Sequence, residues 1–492
     1  MRATCNLRLR IMRNERRILL NATALSVFEG LGQLANLILV VRFARVYGAG
    51  TMGYYSVGMS AGAVAAIFVS LGIPGLLICD ISRDPSCARD RLGVLLPVQL
   101  VLAPLAWAIA CTASIALIGN SAAIGVVMAA CGYQVLLPLA TLMLVPLQAT
   151  EQMLVSAGCN LSHRVLILLL GLTAIRLGGN AEIVALTFVV GVLGLIALAW
   201  GQVSRRFGAP AWRFRPAEAL KLYRLAAPFF GLSALSVLYA RGATLMLSAL
   251  TTAQAVGLYA IADRLMVALG LGSTMFNAAA YPALARVAHS SAADARALLA
   301  RCLRLLLVMA IPFAALAAIF ASDIVRLFFG TSYLGAVRAL EVLAWTLPIR
   351  GAQALLGSQL AAMSQQAALA RTRLVGLVTF LALCPALVVS VGYVGAAWAV
   401  LSCDALQLAL YWRLLTKGRM APALTIAYLA PAAAAAASAA ISALLADMGL
   451  AARLTGAIVA MVAGMWAFGA IKLHDLRFLQ TLIVGKEPTK AT

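Results

Sequence analysis

Negative charge is scarce in this 492-residue chain: Asp and Glu number 16 against 38 Lys and Arg, and charged residues of both signs make up only 11% of it. A nucleic-acid-binding domain needs a continuous, solvated basic surface. So sparse a charge set excludes one, and no nucleic-acid partner is expected. Histidine occurs three times, at 163, 289 and 474, and the nine cysteines fall singly, with no C-x-x-C and no adjacent histidine pair. Zinc and haem-attachment signatures are therefore missing, no metal or cofactor is expected, and the cysteines read as small apolar packing residues. General acid–base or metal chemistry draws on clustered His, Asp, Glu or Cys. With so few of them, no catalytic residue is assigned and an enzyme is not expected.

Hydrocarbon is what the chain has in excess. Hydrophobic residues make up 63% and the mean hydropathy is +0.98, against about 45–50% apolar content in soluble proteins. A membrane span takes about 20 predominantly apolar residues. The windows between Gly, Pro and charge clusters predict an all-α polytopic membrane protein with about fourteen transmembrane helices. Arg2, Arg8, Arg10, Arg13, Arg16 and Arg17 precede an apolar stretch, Ile18 to Val41, that is too long for a signal-peptide core and lacks a cleavage site, so it reads as a retained first span. An even number of spans puts both termini on one side, and the positive-inside rule makes that side the cytoplasm. Arg164 is counted there as well: the fifth span, 153–176, has Asn160, His163 and Arg164 in its first half and reads as beginning in an interfacial turn. Ser322 to Ala336 reads as the longest outer connection.

Internal similarity organises the rest. Gly53-Tyr54-Tyr55 opens the second helix and Gly257-Leu258-Tyr259 opens the eighth. The pattern predicts a basic N-terminus (1–17), a six-helix lobe (18–203), a basic cytoplasmic linker (204–221) and a second six-helix lobe (222–416) in pseudo-two-fold relation to the first. Two additional helices (417–473) and a cytoplasmic tail (474–492) follow. Trp212, Phe214, Leu220, Leu222 and Tyr223, interleaved with cations, read as an interfacial linker lying on anionic lipid. The small residues of 432–440 read as a close helix-packing face.

Charges at a helix centre are costly and normally face protein or a water-filled cavity. Glu29, Gln33 and Asn36 follow i, i+4, i+7 spacing on one face of the first helix, and Thr346, Arg350, Gln353 and Gly357 do so on the tenth. Arg241 lies in the seventh helix, Asp263 and Arg264 in the eighth, Asp404 in the twelfth. One reading is a cationic cavity in which Arg241, Arg264 and Arg350 pair with phosphate or pyrophosphate, while Gln33, Asn36 and Gln353 supply polar contacts. Glu29, Asp263 or Asp404 would then carry a coupling proton or cation. The other reading is structural: Asp263 with Arg264, or Asp404 with an arginine, forms an ion pair between helices. Arg42 and Arg45 read as snorkelling anchors.

Several ordered segments carry a resemblance. Ala44-Arg45-Val46-Tyr47-Gly48 with Gly53-Tyr54-Tyr55, then Ala227-Pro228, Val256-Gly257-Leu258-Tyr259-Ala260, Tyr281-Pro282-Ala283-Leu284-Ala285, Phe329-Gly330-Thr331-Ser332-Tyr333 and Gly392-Tyr393-Val394-Gly395-Ala396-Ala397 follow one another from about Arg17 to Lys417. In order and spacing the set resembles the polysaccharide-transporter family, flippases of lipid-linked oligosaccharides in the superfamily that also holds multidrug exporters and lipid II flippases. The resemblance implies a two-lobed helical fold in a bacterial inner membrane that moves a polyprenyl-pyrophosphate-linked glycan to the outer leaflet for O-antigen, capsule or exopolysaccharide. It also implies membrane lipids, a polysaccharide polymerase and export machinery as partners. Ala243 stands where many members carry an aspartate, which puts a coupling role on the seventh helix in doubt. The alternatives are a lipid II flippase or multidrug exporter, and, from another class, a membrane glycan polymerase or ligase.

Overall fold

The computed structural model describes residues 2–119, 123–287, 292–418, 420–422, 430–446 and 448–467. It is helical throughout, with no strand among those residues. The helices are α1 (Arg2–Ser70), α2 (Ile73–Arg83), α3 (Ala88–Ile118), α4 (Ile124–Ala149), α5 (Met153–Arg176), α6 (Ala181–Phe207), α7 (Pro216–Leu250), α8 (Ala253–Leu269) and α9 (Leu271–Val287). They continue with α10 (Ala292–Ile319), α11 (Ala321–Phe329), α12 (Ala336–Ala344), α13 (Thr346–Ala362), α14 (Gln366–Val391), α15 (Tyr393–Lys417), α16 (Ala430–Leu444) and α17 (Leu450–Ala467).

Among the described residues, eleven helical stretches are long and apolar enough to cross a membrane, against the fourteen expected. The difference lies at breaks. The first and second expected spans share α1, which Gly48 divides with φ +78 and ψ 173; only glycine adopts that backbone without strain. The second span ends early, at Leu71-Gly72, and Pro74 in the first turn of α2 starts a new helix. The tenth, 336–363, is two helices meeting at Trp345. Pro348 explains the break: its ring opposes the carbonyl four residues back, which belongs to Ala344, the last residue of α12. Prolines 97, 104, 138, 146, 228, 312 and 385 lie inside helices that continue through them. The described part of the thirteenth span is the fifteen-residue α16.

Two further expectations change. The fifth span is one regular helix through Asn160, His163 and Arg164, with no interfacial turn. The outer connection 322–336 is not a loop: α11 buries Ala321, Val325 and Phe329 at helical spacing, Gly330 turns the chain with φ +90, and Tyr333 is buried beyond it.

By their contacts the residues form two compact units, Ala24–Ile261 with Leu381–Ala396, and Met1–Thr23 with Ala262–Phe380 and Ala397–Thr492. The seam lies beyond the expected linker because α7 belongs to the first unit. Leu222 and Ala226 of α7 are buried with Ile73 and Leu77 of α2, Leu92 and Leu95 of α3, Leu142 and Met143 of α4, and Val192 and Leu195 of α6. The linker is stapled rather than loose. The Arg213 N–H donates to the Gly93 carbonyl at 3.1 Å, Arg89 Nε donates to the Ala209 carbonyl at 2.9 Å, and a Cβ at Gly93 would meet the Ala211 carbonyl closer than 3.0 Å. Trp212 and Phe214 remain exposed.

Within the first unit the two repeat glycines meet. A Cβ on Gly53 would strike the Ala253 carbonyl, and a Cβ on Gly257 would strike the Ala49 carbonyl, each inside 3.0 Å. Ala49 stands four residues before Gly53 and Ala253 four before Gly257, so the contact is reciprocal, as a two-fold relation between repeats requires. In lipid, small residues let backbones come this close, and dispersion then holds the pair.

The second unit packs Leu284 of α9, Leu299, Cys302 and Leu306 of α10, Leu355 and Leu356 of α13 and Tyr411 of α15 into one core. The additional helices α16 and α17 join Val308 and Ala315 of α10 through Ala434, Ala435 and Met461, with the Ser438 hydroxyl donating to the Ala457 carbonyl at 2.8 Å. The small-residue face of 432–440 is thus a packing face. Arg453 of α17 lies 3.6 Å from Asp323 and 5.5 Å from the Phe320 ring centroid.

Candidate functional site

The polar residues of α1 are set by helical geometry. Val27, Leu31, Leu34 and Ile38 recur on one exposed apolar face, while Leu39 and Val40 are buried. Glu29, Gln33 and Asn36 lie on a third face, half-buried apart from the more exposed Glu29. Gln33 Nε2 donates to Glu29 Oε1 at 3.1 Å. The other Glu29 partner is an arginine that the positive-inside count assigns to a cytoplasmic segment. Arg164, at the middle of α5, sets Nη2 2.8 Å from Glu29 Oε1. Gly32 makes the approach possible, because a Cβ there would lie 2.7 Å from Arg164 Cδ.

This pair borders a cavity of about 280 Å³ whose polar lining is Glu29, Gln148, Ser156, Asn160 and Arg164, with Phe28 and Ile78 among its apolar walls. It lies between α1, the middle of α2, the end of α4 and the first half of α5. Gln148 Nε2 donates to Ser156 Oγ at 3.2 Å and Asn160 Nδ2 to the Ser156 carbonyl at 3.1 Å. Arg164 Nη1 is buried against Gly32 and has no hydrogen-bond acceptor among the described residues. Its neighbour His163 is buried and stacks on Tyr133, with ring centroids 6.0 Å apart and planes 14° off parallel.

In the second unit the polar stripe of α13 faces α15. Arg350 Nε donates to Asp404 Oδ2 at 2.7 Å, and Gln353 Nε2 donates to the Asp404 carbonyl at 2.5 Å. The Asp404 side chain is 1% exposed and that of Arg350 41%. A carboxylate so buried would be strongly destabilising without its cation. Here the structural alternative, an aspartate paired with an arginine, is the geometry found. Thr346 is buried, its hydroxyl donating to the Leu343 carbonyl at 2.6 Å, and Gly357 gives room to Tyr411, which a Cβ would touch at 3.7 Å.

Arg241 is half-buried on α7 of the first unit, and Asp263 and Arg264 occupy consecutive half-buried positions of α8 in the second. Arg42 and Arg45 are exposed. Sequence reasoning missed Arg164. Its placement at the centre of a 24-residue apolar helix is the signal that could have found it, masked by the polar run Asn160 to Arg164.

Residues that carry the resemblance prove to be architectural. Ala44 and Tyr55 are buried, Gly48 makes the kink, Gly53 and Gly257 make the close contact, and Ala396 and Ala397 are fully buried.

A family model described as Polysaccharide biosynthesis protein matches residues 18–288. No curated protein matches the chain. Among solved structures, the lipid II flippase MurJ in its inward closed conformation is similar with a TM-score of 0.76 at 13% identity, over 92% of this chain and 99% of that one. An inward-facing multidrug resistance MATE family transporter of the MOP superfamily follows at 0.64 and 15% identity, over 79% and 94%. A eukaryotic MATE transporter gives 0.56 and 14%, over 82% and 96%. At these identities the likeness is one of fold. The family match spans more than half of the chain and its motifs hold the helical framework together; the chain therefore belongs to the polysaccharide biosynthesis protein family, a polytopic membrane protein with the fold shared by MurJ and the MATE transporters.

Proposed function

We propose that this protein is a flippase that carries a polyprenyl-pyrophosphate-linked oligosaccharide from the cytoplasmic to the outer leaflet of a bacterial inner membrane, for surface polysaccharide assembly. Both termini would be cytoplasmic. The observation that carries the reading is the sign of the charge within the helices. Within the helices Arg164, Arg241, Arg264 and Arg350 outnumber the carboxylates Glu29, Asp263 and Asp404, and two of those carboxylates already lie against arginine. A charge at a helix centre costs roughly 2.5–3.5 kcal/mol on insertion scales, so arginines retained there suit an anionic cargo.

In this reading Arg241, Arg264 and Arg350 engage the pyrophosphate, Gln33, Asn36 and Gln353 contact the glycan, and the prenyl chain stays in lipid. Alternating access follows from rocking of the two repeats. Glu29, Asp263 and Asp404 are the groups proposed for ion coupling, of which Asp404 would first have to part from Arg350. Outward movement of an anion is also favoured by a potential negative inside, by about 2.3 kcal/mol per charge per 100 mV. A polysaccharide polymerase and export machinery would receive the product.

A second reading, a lipid II flippase, is supported by the greater likeness of fold to MurJ, a TM-score of 0.76 over 92% of this chain against 0.64 over 79% for the MATE transporter. Multidrug export asks for a carboxylate-dominated cavity and fits less well. The test is the sidedness of lipid-linked glycan in cells depleted of the protein, probed on oriented vesicles with an impermeant glycan-modifying enzyme. Accumulation of complete glycan-lipid on the cytoplasmic face is expected, and its mass spectrum separates oligosaccharide-lipid from lipid II. Complete glycan-lipid on the outer face, unpolymerised, would refute translocation and favour a polymerase or ligase. Alanine replacement of Arg241, Arg264 or Arg350 should abolish complementation; full activity of all three variants removes them from the pathway.

A further inference from the structure

We infer that the groove between the start of α3 and the first turns of α7 binds an anionic phospholipid, whose phosphate meets Arg91, Arg215 and Lys221 while an acyl chain runs along Leu225 and Phe229. The inference goes beyond the flippase reading and uses none of it, since it needs only a chain that spans a membrane.

The charge of the groove suits an anion. About 730 Å³ of open space is lined by Arg91, Arg215, Glu218, Lys221, Leu222 and Leu225, among others, within the roughly 300–1,000 Å³ of small-ligand sites. Three cations thus stand against one carboxylate. Glu218 lies 3.5 Å from Arg215, both side chains well exposed, and Arg91 lies 3.6 Å from Asp80. Exposed pairs of this kind hold weakly, and each guanidinium keeps further N–H donors for a phosphate. Lys221 is exposed, and no carboxylate pairs with it among the described residues.

The groove is also held in shape. The Arg213 N–H bond to the Gly93 carbonyl and the Arg89 bond to the Ala209 carbonyl fix the linker against α3. Arg215 is therefore presented from a fixed backbone rather than from a loose basic loop, and less ordering is left to oppose binding.

An apolar track continues the groove and distinguishes a lipid from a soluble phosphate. Lys221, Leu225 and Phe229 follow i, i+4, i+8 spacing on α7. Leu225 is 64% exposed and Phe229 is exposed as well, while Leu222 and Ala226 are buried behind them. At 1.5 Å per residue this stripe is about 12 Å long, more than the roughly 5–8 Å of head-group region on one side of a bilayer. It therefore runs from charge into hydrocarbon. Exposed Trp212, its ring centroid 5.9 Å from that of Trp200, belongs to the type of side chain that collects at the membrane–water boundary. A soluble phosphate would use the cations and leave Leu225 and Phe229 bare; a phospholipid uses both, and joins α3 to α7 across the linker.

The purified full-length protein in zwitterionic detergent would be titrated with dioleoyl phosphatidylglycerol or dioleoyl phosphatidylcholine. Native mass spectrometry counts bound lipid, and thermal unfolding is followed in parallel. Three proteins are compared: wild type, Arg215→Gln/Lys221→Gln, and Arg205→Gln/Arg206→Gln. The last pair is exposed at the end of α6 and removes the same charge outside the groove. Wild type should bind phosphatidylglycerol saturably and unfold at a higher temperature with it. Each cation near an anionic lipid contributes about fivefold, so the groove variant should bind about thirtyfold more weakly, and the α6 variant within about threefold of wild type. Both groove side chains are exposed, so unfolding without lipid should match wild type; if it does not, Lys221→Gln alone should still bind about fivefold more weakly. Equal losses in the two double variants would assign the effect to net charge and overturn the site. Phosphatidylcholine bound as tightly as phosphatidylglycerol would overturn it too, as would an equal thermal shift from glycerol 3-phosphate at the same concentration, which carries the anion without the chains.

Discussion

Gly53→Ala offers the sharpest test of the repeat contact. The added methyl would meet the Ala253 carbonyl inside 3.0 Å, and ordinary contact is restored only at 3.4–4 Å. The obstacle is backbone, so no side chain can swing aside, and the two helices must part. Overpacking of this kind costs about 1–3 kcal/mol. Gly257→Ala meets the Ala49 carbonyl in the same way and should cost about as much. Since the contacts are reciprocal, one separation relieves both, so the double variant should lose little more than the worse single variant. That is a coupling expected only of residues in direct contact. Gly50→Ala is the control: it lies in α1, a Cβ there has nothing within 4 Å, and it carries the same gain in helix propensity, up to about 1 kcal/mol. Thermal unfolding of the four variants and the wild-type protein in detergent gives the comparison. Losses that simply add, or a Gly53→Ala protein as stable as Gly50→Ala, would refute the reciprocal contact.

Other outcomes follow from the same structure. Arg350→Ala removes the guanidinium paired with the buried Asp404 carboxylate and should cost up to about 3–5 kcal/mol, whereas Asp404→Asn should cost clearly less; equal losses in thermal unfolding would show that the pair is not the reason. Gly93→Ala should push the linker from α3 through the Ala211 carbonyl and speed limited proteolysis within 208–215, and unchanged cleavage would argue against the staple. Asp84, at the turn between α2 and α3, is held below the ordinary carboxylate pKa by hydrogen bonds from the Ser86 hydroxyl and N–H. A depressed folded-state pKa contributes stability above the unfolded value that is lost as pH falls through the folded one. Protection of this turn against hydrogen exchange, taken relative to the intrinsic exchange rate at each pH, should therefore fall on acidification in wild type and change less in Ser86→Ala, where one of the two hydrogen bonds is gone.

Much of this architecture was legible in order along the chain, because a bilayer acts on local composition: each span must satisfy its own backbone and present apolar side chains. Hydropathy thus located most helices, and the i, i+4, i+7 spacing placed Glu29, Gln33 and Asn36 on one face before any partner was known. The Gly53 and Gly257 segments likewise announced a repeat. Their meeting face to face was not legible, since nothing local states which backbone lies opposite a glycine.

Charges show the same division. Arg164 follows Asn160 and His163, so its surroundings in sequence resemble an interface, and only the packing of α5 on α1 shows that its counter-charge is Glu29. Arg350 and Asp404 were both visible as intramembrane charges, yet a buried carboxylate held by a guanidinium and an isolated ion-coupling group look alike in sequence. The sequence by itself determined the solvent this protein folds in, most of its helices and its family; tertiary structure alone decided which charges pair, because pairing depends on distances of a few ångströms between helices far apart in the chain.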